Sequence, residues 1–211
     1  MKVIAISDTH GQHESLVLPL GDILIHAGDC TNRGTRSESL EFMNWFEGQP
    51  HKHKIFIAGN HDWYFESKEF RYSEVPAGVH YLNDSMVSIE GFNIWGAPIQ
   101  PEFFDWAFNR KRGAEIKQHW DLIPMETDIL VTHGPVSGIH DTTVHGDKCG
   151  CEDLKNAVQH IEPQLFICGH IHEAYGTLVE GNTTFVNASV LDHKYKMINP
   201  PIEIELTKNS L

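Results

Sequence analysis

Five times along 211 residues a short apolar run breaks off into residue types that ligate metals or carry protons. Lys2 to Ser7 ends at Asp8-Thr9-His10, and Asp22 to Ala27 ends at Gly28-Asp29. Lys54 to Ala58 ends at Gly59-Asn60-His61-Asp62, Asp128 to Thr132 at His133-Gly134, and Gln164 to Cys168 at Gly169-His170-Ile171-His172. Apolar runs of this length, bounded by glycine and polar residues, read as buried strands. In an α/β fold the carboxyl ends of strands are where ligands bind, so polar residues far apart in sequence converge there. This pattern requires a sheet edge crowded with carboxylate, imidazole and amide groups.

The segments between the strands fit that scheme. From Thr35 to Gly48 the residues Leu40, Phe42, Met43, Trp45 and Phe46 recur at helical spacing, and Thr35 with Glu38 has the form of a capping box. Strand, helix, strand at this spacing is a parallel α/β unit. Residues 63–78 have no clear period and stay unassigned. Val79-Leu82, Met86-Glu90 and Phe92-Trp95 read as a meander continuing into a second sheet. The segment 98–109, with Phe103, Phe104, Trp106 and Phe108, reads either as a satellite core or as a wall for stacking a base. A helix is expected over Arg112 to Leu122, and another of about ten residues ending at Ile161. The polar loop 134–151 is long enough to suggest a functional role. Tyr175-Val179, Thr183-Asn187 and Ile202-Leu206 read as further antiparallel strands. No linker or repeat divides the chain, so residues 1–211 are expected to form one domain.

Charge excludes one class of partner. A net charge of -13, from 29 acidic and 16 basic residues, repels a nucleic-acid polymer, while a small anion remains acceptable if the site supplies its own cations. No run approaches a membrane span or a signal peptide. Cys30, Cys149, Cys151 and Cys168 are expected as reduced thiols, which suggests a cytoplasmic address. Cys149 and Cys151 are read as free thiols and not as a metal pair. Of the fifteen histidines, His51, His53, His140, His145 and His193 fall outside the motifs and receive no chemistry, although His140 and His145 are placed to touch a substrate.

Carboxylate, imidazole and amide donors suit divalent Mn, Fe or Zn, whereas a structural zinc site relies on thiolates. The donors suffice for two ions sharing one carboxylate. The series Asp8-x-His10, Gly28-Asp29, Gly59-Asn60-His61-Asp62, Thr132-His133 and Gly169-His170-x-His172 resembles the calcineurin-like metallophosphoesterase superfamily. His133-Gly134-Pro135, Gly150-Cys151, Gly169 to Gly176, Asn187-Ala188-Ser189 and Asn199-Pro200-Pro201 further resemble its metallophosphoesterase-domain-containing group.

The resemblance implies an α/β fold, a four-layer α/β/β/α sandwich of two mixed sheets, with a dinuclear site at its top. It implies that Asp8, His10, Asp29 and His172 hold one ion, and that Asn60, His133, His170 and the bridging Asp29 hold the other. Manganese is the leading expectation for the pair. Some members of the group have glycine at the position of His170, which weakens the second site; the histidine is kept here. Protein phosphatases of the superfamily carry Asp-Arg-Gly where this chain has Asn32-Arg33-Gly34. Arg33 is expected to contact phosphate, with Asn32 beside it, but Asn32 lacks the carboxylate that would pair with the acid histidine. Small phosphodiesters, cyclic nucleotides among them, are therefore the expected substrates.

The chemistry has its own logic. Two divalent ions acidify a bridging water and clamp the phosphoryl oxygens while hydroxide attacks phosphorus. His61 is the candidate general acid for the leaving alkoxide and also a substrate contact. Asp62 either orients His61 or caps the next segment. Nucleotide phosphomonoester or pyrophosphate hydrolysis is the rival reading. A non-enzymatic binding scaffold is disfavoured by the retention of His61 and every ligand.

Overall fold

Residues 1–208 are described in a computed structural model. The chain enters β1 (Lys2–Ile6), where Val3 and Ala5 join one apolar cluster and Ile4 and Ile6 another, the period-two alternation of a strand buried on both faces. β2 (Ile23–Ala27) pairs parallel with it and divides its side chains in the same way. α1 (Arg36–Glu47) then starts on the expected capping box: Glu38 N donates to the Thr35 hydroxyl, and Thr35 N donates to the Glu38 carboxylate at 3.0 Å. Such a cap is worth about 1 kcal/mol. The helix lays Phe42 and Phe46 against Phe56 of β3 (His53–Ile57), with ring centroids 5.4 and 6.0 Å apart. Within the unassigned segment lie one helical turn, α2 (Trp63–Glu66), and a 3₁₀ turn at Tyr72–Glu74.

β4 (Val79–Tyr81) corrects the expected meander, because it pairs parallel with β3 and belongs to the first sheet. The second sheet starts with the antiparallel hairpin β5 (Ser85–Ile89) and β6 (Phe92–Ala97). Two short strands, β7 (Gln100–Pro101) and β8 (Asn109–Arg110), clasp the aromatic segment between them. α3 (Ala114–Trp120) lies within the expected helix and is shorter at both ends. β9 (Ile129–Thr132), α4 (Glu152–Ile161) and β10 (Leu165–Cys168) follow, and β10, β9 and β6 run parallel. β11 (Gly176–Glu180) and β12 (Thr183–Asn187) form an antiparallel pair, yet β12 runs parallel to β10, where an antiparallel partner was expected. The connection through β11 reverses the chain before β12 inserts, and sequence alone carries no signal for that. β13 (Ile202–Glu205) returns to close the first sheet antiparallel to β1.

The two sheets are mixed, in the orders β13-β1-β2-β3-β4 and β11-β12-β10-β9-β6-β5. Ile25, Ile55 and Ile57 of the first share a core with Ile94, Ile129 and Ile167 of the second. On the outer faces, Phe42 and Phe46 of α1 and Ile116, Trp120, Leu154 and Val158 of α3 and α4 cover Phe56, Leu130 and Phe166. This is the expected helix, sheet, sheet, helix sandwich. The ends of β1, β2, β3, β9 and β10 emerge on one rim, and residues 188–190 bridge the sheets there: Ala188 N donates to Cys168 O and Val190 N to Ser7 O. No helix among the described residues is long and apolar enough to cross a membrane.

Candidate metal centre

The rim gathers all seven residues expected as ligands. Donor atoms of Asp8, His10 and His172 lie within 4.8 Å of one another, as do those of Asp29, His133 and His170. Between the groups stands Asp29, whose Oδ2 is 3.3 Å from His133 Nε2 and 3.7 Å from His10 Nε2. His172 Nε2 lies 3.4 Å from Asp8 Oδ1 and 3.3 Å from His10 Nε2, and Asn60 Oδ1 lies 2.9 Å from His133 Nε2. Imidazole nitrogens and carboxylate oxygens converging on common points, nearly all buried, are what divalent ions require. The donor set fits two ions.

Second contacts fix the tautomers. His133 Nδ1–H donates to Ala27 O at 2.9 Å and His172 Nδ1–H to Asp192 O at 3.0 Å, so each directs Nε2 inward. The Ser189 hydroxyl and the His170 N–H both donate to the Asp8 carboxylate, and Asn187 Nδ2 holds Gly169 O and Ile171 O. Asn187 and Ser189 entered the sequence reading only as part of a resemblance. Their role as braces appears only when β12 is placed beside β10.

The local backbone at these positions is unusual. Asp8, His10, Asp29 and His170 all have φ between 42° and 66°, a region costly for side chains other than glycine and common at functional sites. Gly59, by contrast, is not in the left-handed region; its conformational freedom is not what matters. A Cβ there would stand 2.3 Å from Asp29 Oδ1, and one at Gly169 would stand 2.1 Å from Asp8 Oδ2. Gly59 and Gly169 thus leave room for the carboxylates of Asp29 and Asp8.

The electrostatics of the ion-free protein follow from burial and pairing. Desolvation opposes charge at His133 and His172, but Asp29 and Asp8 respectively outweigh it and raise both imidazoles to about 9. The same pairs hold the two buried carboxyls well below their ordinary range, against a desolvation that would raise them. His10 and His170 go the other way: burial lowers each to about 4, and the nearby carboxylates offset only part of this. The centre is thus a cluster of alternating charge, ready to exchange protons for cations.

His61 stands beside this cluster, its ring 4.5 Å from that of His10 and edge-on to it. Its Nδ1–H donates to the backbone carbonyl of Asn32 at 2.9 Å. Asn32 lacks a side-chain carboxylate, as expected, but its backbone carbonyl pairs with His61. The Trp106 ring also packs against the His61 ring, with centroids 4.3 Å apart. Asp62 fits neither expected role. Its side chain makes no cap bond to α2 and does not reach His61, and it instead accepts from Gly59 N, Cys30 N, Thr31 N and the Thr31 hydroxyl, tying the β2 and β3 loops together.

A cleft of about 750 Å³ opens over the centre. The 98–109 segment combines both expected roles: Phe108 is core, while Phe103 and Trp106 face the cleft. From loop 134–151 come His145, Lys148 and Cys149, and from beyond β12 come His193 and Tyr195. The Tyr195 ring packs against His10 and His172 at 4.9 and 5.2 Å, a neighbour that no motif signals. Arg33 and the Asn32 side chain are exposed and do not line the cleft, since the turn into α1 commits the Arg33 amide to Glu38. Arg112 lines it instead. The four cysteines are free, and Cys151 caps α4 by accepting from Leu154 N.

A two-sheet sandwich with mixed carboxylate, imidazole and amide donors at its rim defines a metal-dependent hydrolase class. The family model for calcineurin-like phosphoesterases matches residues 1–174. Human metallophosphoesterase domain-containing protein 1 is 41% identical over 230 residues, covering 97% of this chain and 71% of that protein. A Synechococcus protein described as a probable cyclic nucleotide phosphodiesterase is 28% identical, over 78% of this chain and 63% of its own length. Among solved structures, TT1561 of Thermus thermophilus shares the fold with a TM-score of 0.58 at 13% identity, covering 88% of each chain. The chain belongs to the calcineurin-like phosphoesterase family and is a phosphoester hydrolase.

Proposed function

We propose that the protein hydrolyses small phosphodiesters, cyclic nucleotides among them, at a dinuclear centre. Asp8, His10, Asp29 and His172 would hold one ion and Asp29, Asn60, His133 and His170 the other, with Asp29 shared. The oxygen and imidazole donors suit Mn, with Fe or Zn as alternatives. Such ions, when bound, supply a nucleophile at neutral pH and neutralise phosphoryl charge.

What the chain itself contributes is proton delivery and orientation. With Nδ1–H donated to Asn32 O, a protonated His61 offers Nε2–H as donor to the oxygen that leaves phosphorus. Trp106 and His10 both pack against the imidazole, so the acid is held before substrate arrives. This fixed His61 beside the ligand cluster is the observation that carries the reading, because an alkoxide leaving group needs a proton. A diester is favoured over a monoester because neither Lys nor Arg contacts the centre. Lys148 is neutralised by Asp141, and a monoester dianion would bring one more negative charge into a carboxylate-rich site. The likeness to the Synechococcus protein described as a probable cyclic nucleotide phosphodiesterase supports the same class.

The test is a panel: cyclic nucleotides with 2′,3′ or 3′,5′ linkage, bis-p-nitrophenyl phosphate and p-nitrophenyl phosphate, each with Mn, Fe, Zn or Mg. Diester hydrolysis exceeding monoester hydrolysis is expected. Activity on the monoester alone would overturn the reading.

A further inference from the structure

Two cationic side chains of the Lys and Arg type line the cleft, and they differ in kind. Lys148 donates to Asp141 Oδ1 at 3.3 Å and to the Thr142 hydroxyl, so its charge is compensated within its own loop. Arg112 has no carboxylate within salt-bridge distance among the described residues. Its guanidinium donates instead to two neutral acceptors, Nη1 to Gly150 O at 2.7 Å and Nη2 to Cys149 O at 3.0 Å. The carboxylate of Asp153 in α4 accepts from Gly113 N. A guanidinium has five N–H donors in a planar fork, so about three remain for another partner. The two carbonyls lock the fork without cancelling its charge.

That arrangement leaves a solvent-exposed positive charge, held by two neutral carbonyls, available to an anion. The chain carries -13 net, and Asp29, Glu102, Asp147 and Glu173 line the same cleft, so the general field repels anionic substrates. A fixed, uncompensated arginine there offers local attraction and a bidentate geometry that matches phosphate. Arg112 bonds to none of the proposed ligands. The loop it braces packs on the segment after His133: Cys151 N donates to Pro135 O, and a Cβ at Gly150 would lie 2.4 Å from Val136 O. The guanidinium is therefore coupled to the centre through backbone and stands apart from the ligands. A cleft of about 750 Å³ has room for more than the reacting phosphoryl group.

We propose that Arg112 forms an anion subsite for a second phosphate of the substrate, distinct from the phosphorus being hydrolysed, so that diesters carrying a terminal phosphate are preferred. The inference rests on the phosphodiesterase reading. Its probes are adenosine 2′,3′-cyclic phosphate with and without a 5′-phosphate, with ring opening followed by phosphorus NMR on the metal-loaded enzyme. The wild-type enzyme should show the lower KM for the 5′-phosphorylated compound. Arg112→Gln should raise that KM by about tenfold to a hundredfold, the range for a charge-assisted bidentate contact, and leave the compound without 5′-phosphate within about twofold. Arg112→Lys, which keeps charge but loses the fork, should fall between. Equal losses on both compounds would overturn the subsite and make Arg112 a brace of the 149–150 loop or a clamp on the reacting phosphate. No preference for the 5′-phosphorylated compound in the wild type would overturn it too. Failure of the wild type to open either ring, with p-nitrophenyl phosphate still hydrolysed, would point instead to failure of the diester reading.

Discussion

The floor and the wall of the cleft are built on opposite principles. The floor consists of strand ends, where Asp8, Asp29 and His133 are buried, braced by neighbouring backbone, and in the case of both aspartates held at positive φ. The wall comes from loops, where Phe103 faces the cleft while 51% exposed and packs against Phe104, which is 78% exposed. A dinuclear centre needs fixed distances between donors, so its residues are over-determined by packing and hydrogen bonds. A wall that selects substrates needs only shape and charge, and it can change without disturbing the fold.

The sharpest way to break this contrast is to disturb the floor without touching a ligand. Gly59→Ala would set a methyl group 2.3 Å from Asp29 Oδ1, and we expect loss of bound metal, activity below detection and a stability loss of about 1–3 kcal/mol. Metal analysis and urea unfolding check this; a metal-replete, active variant would show that the floor yields more easily than its geometry implies.

His61 sits on the boundary between floor and wall, since its donor atoms also cluster with those of His10 and Asp29. As a general acid, His61→Ala should lower turnover on bis-p-nitrophenyl phosphate by about 10² or more with metal content unchanged. Loss of an ion in that variant would make His61 a ligand.

The floor should also show its charges when stripped of metal. His10 and His170 are lowered from 6.5 to about 4, so the unfolded chain binds more protons than the folded one in that interval, and stability rises with pH there. His133 and His172 are raised from 6.5 to about 9, so their contribution is complete below pH 6.5 and is lost as pH rises toward 9. The metal-free protein should therefore be most stable near pH 6.5 and lose stability progressively as pH rises toward 9. Thermal unfolding in chelator across this range measures it, and added Mn should remove the alkaline decline with release of protons. A flat profile would mean that the buried ion pairs do not form in the empty centre.

The smallest effect belongs to the loop that carries the wall. Phe104→Ala should change stability by less than about 0.5 kcal/mol, because so exposed a ring has little surface to lose from burial. Any change in KM with kcat constant would show that the ring meets substrate.

Much of the floor was legible in the sequence because strand ends and their ligands are written contiguously. Asp8-x-His10, Gly28-Asp29 and Gly169-His170-x-His172 each join a period-two apolar run to its donors. The strand order around β4 and β12 was not legible, since alternation reports burial and not which neighbour a strand pairs with. Asp62 misled for a related reason. Its position fits a cap, and only the approach of the β2 loop shows that its oxygens serve Cys30 and Thr31.

By itself the sequence determined the α/β pattern and the candidate donors at strand ends, because local patterning encodes strand ends and metal chemistry selects few residue types; the four layers and the candidate acid His61 came with the family resemblance. Tertiary structure decided the rest: that a backbone carbonyl of Asn32 orients His61, that Tyr195 and Trp106 enclose the centre, and that Arg112 and not Arg33 faces the cleft. Those contacts join residues with no shared period, and nothing but the packing of two sheets and their loops brings them together.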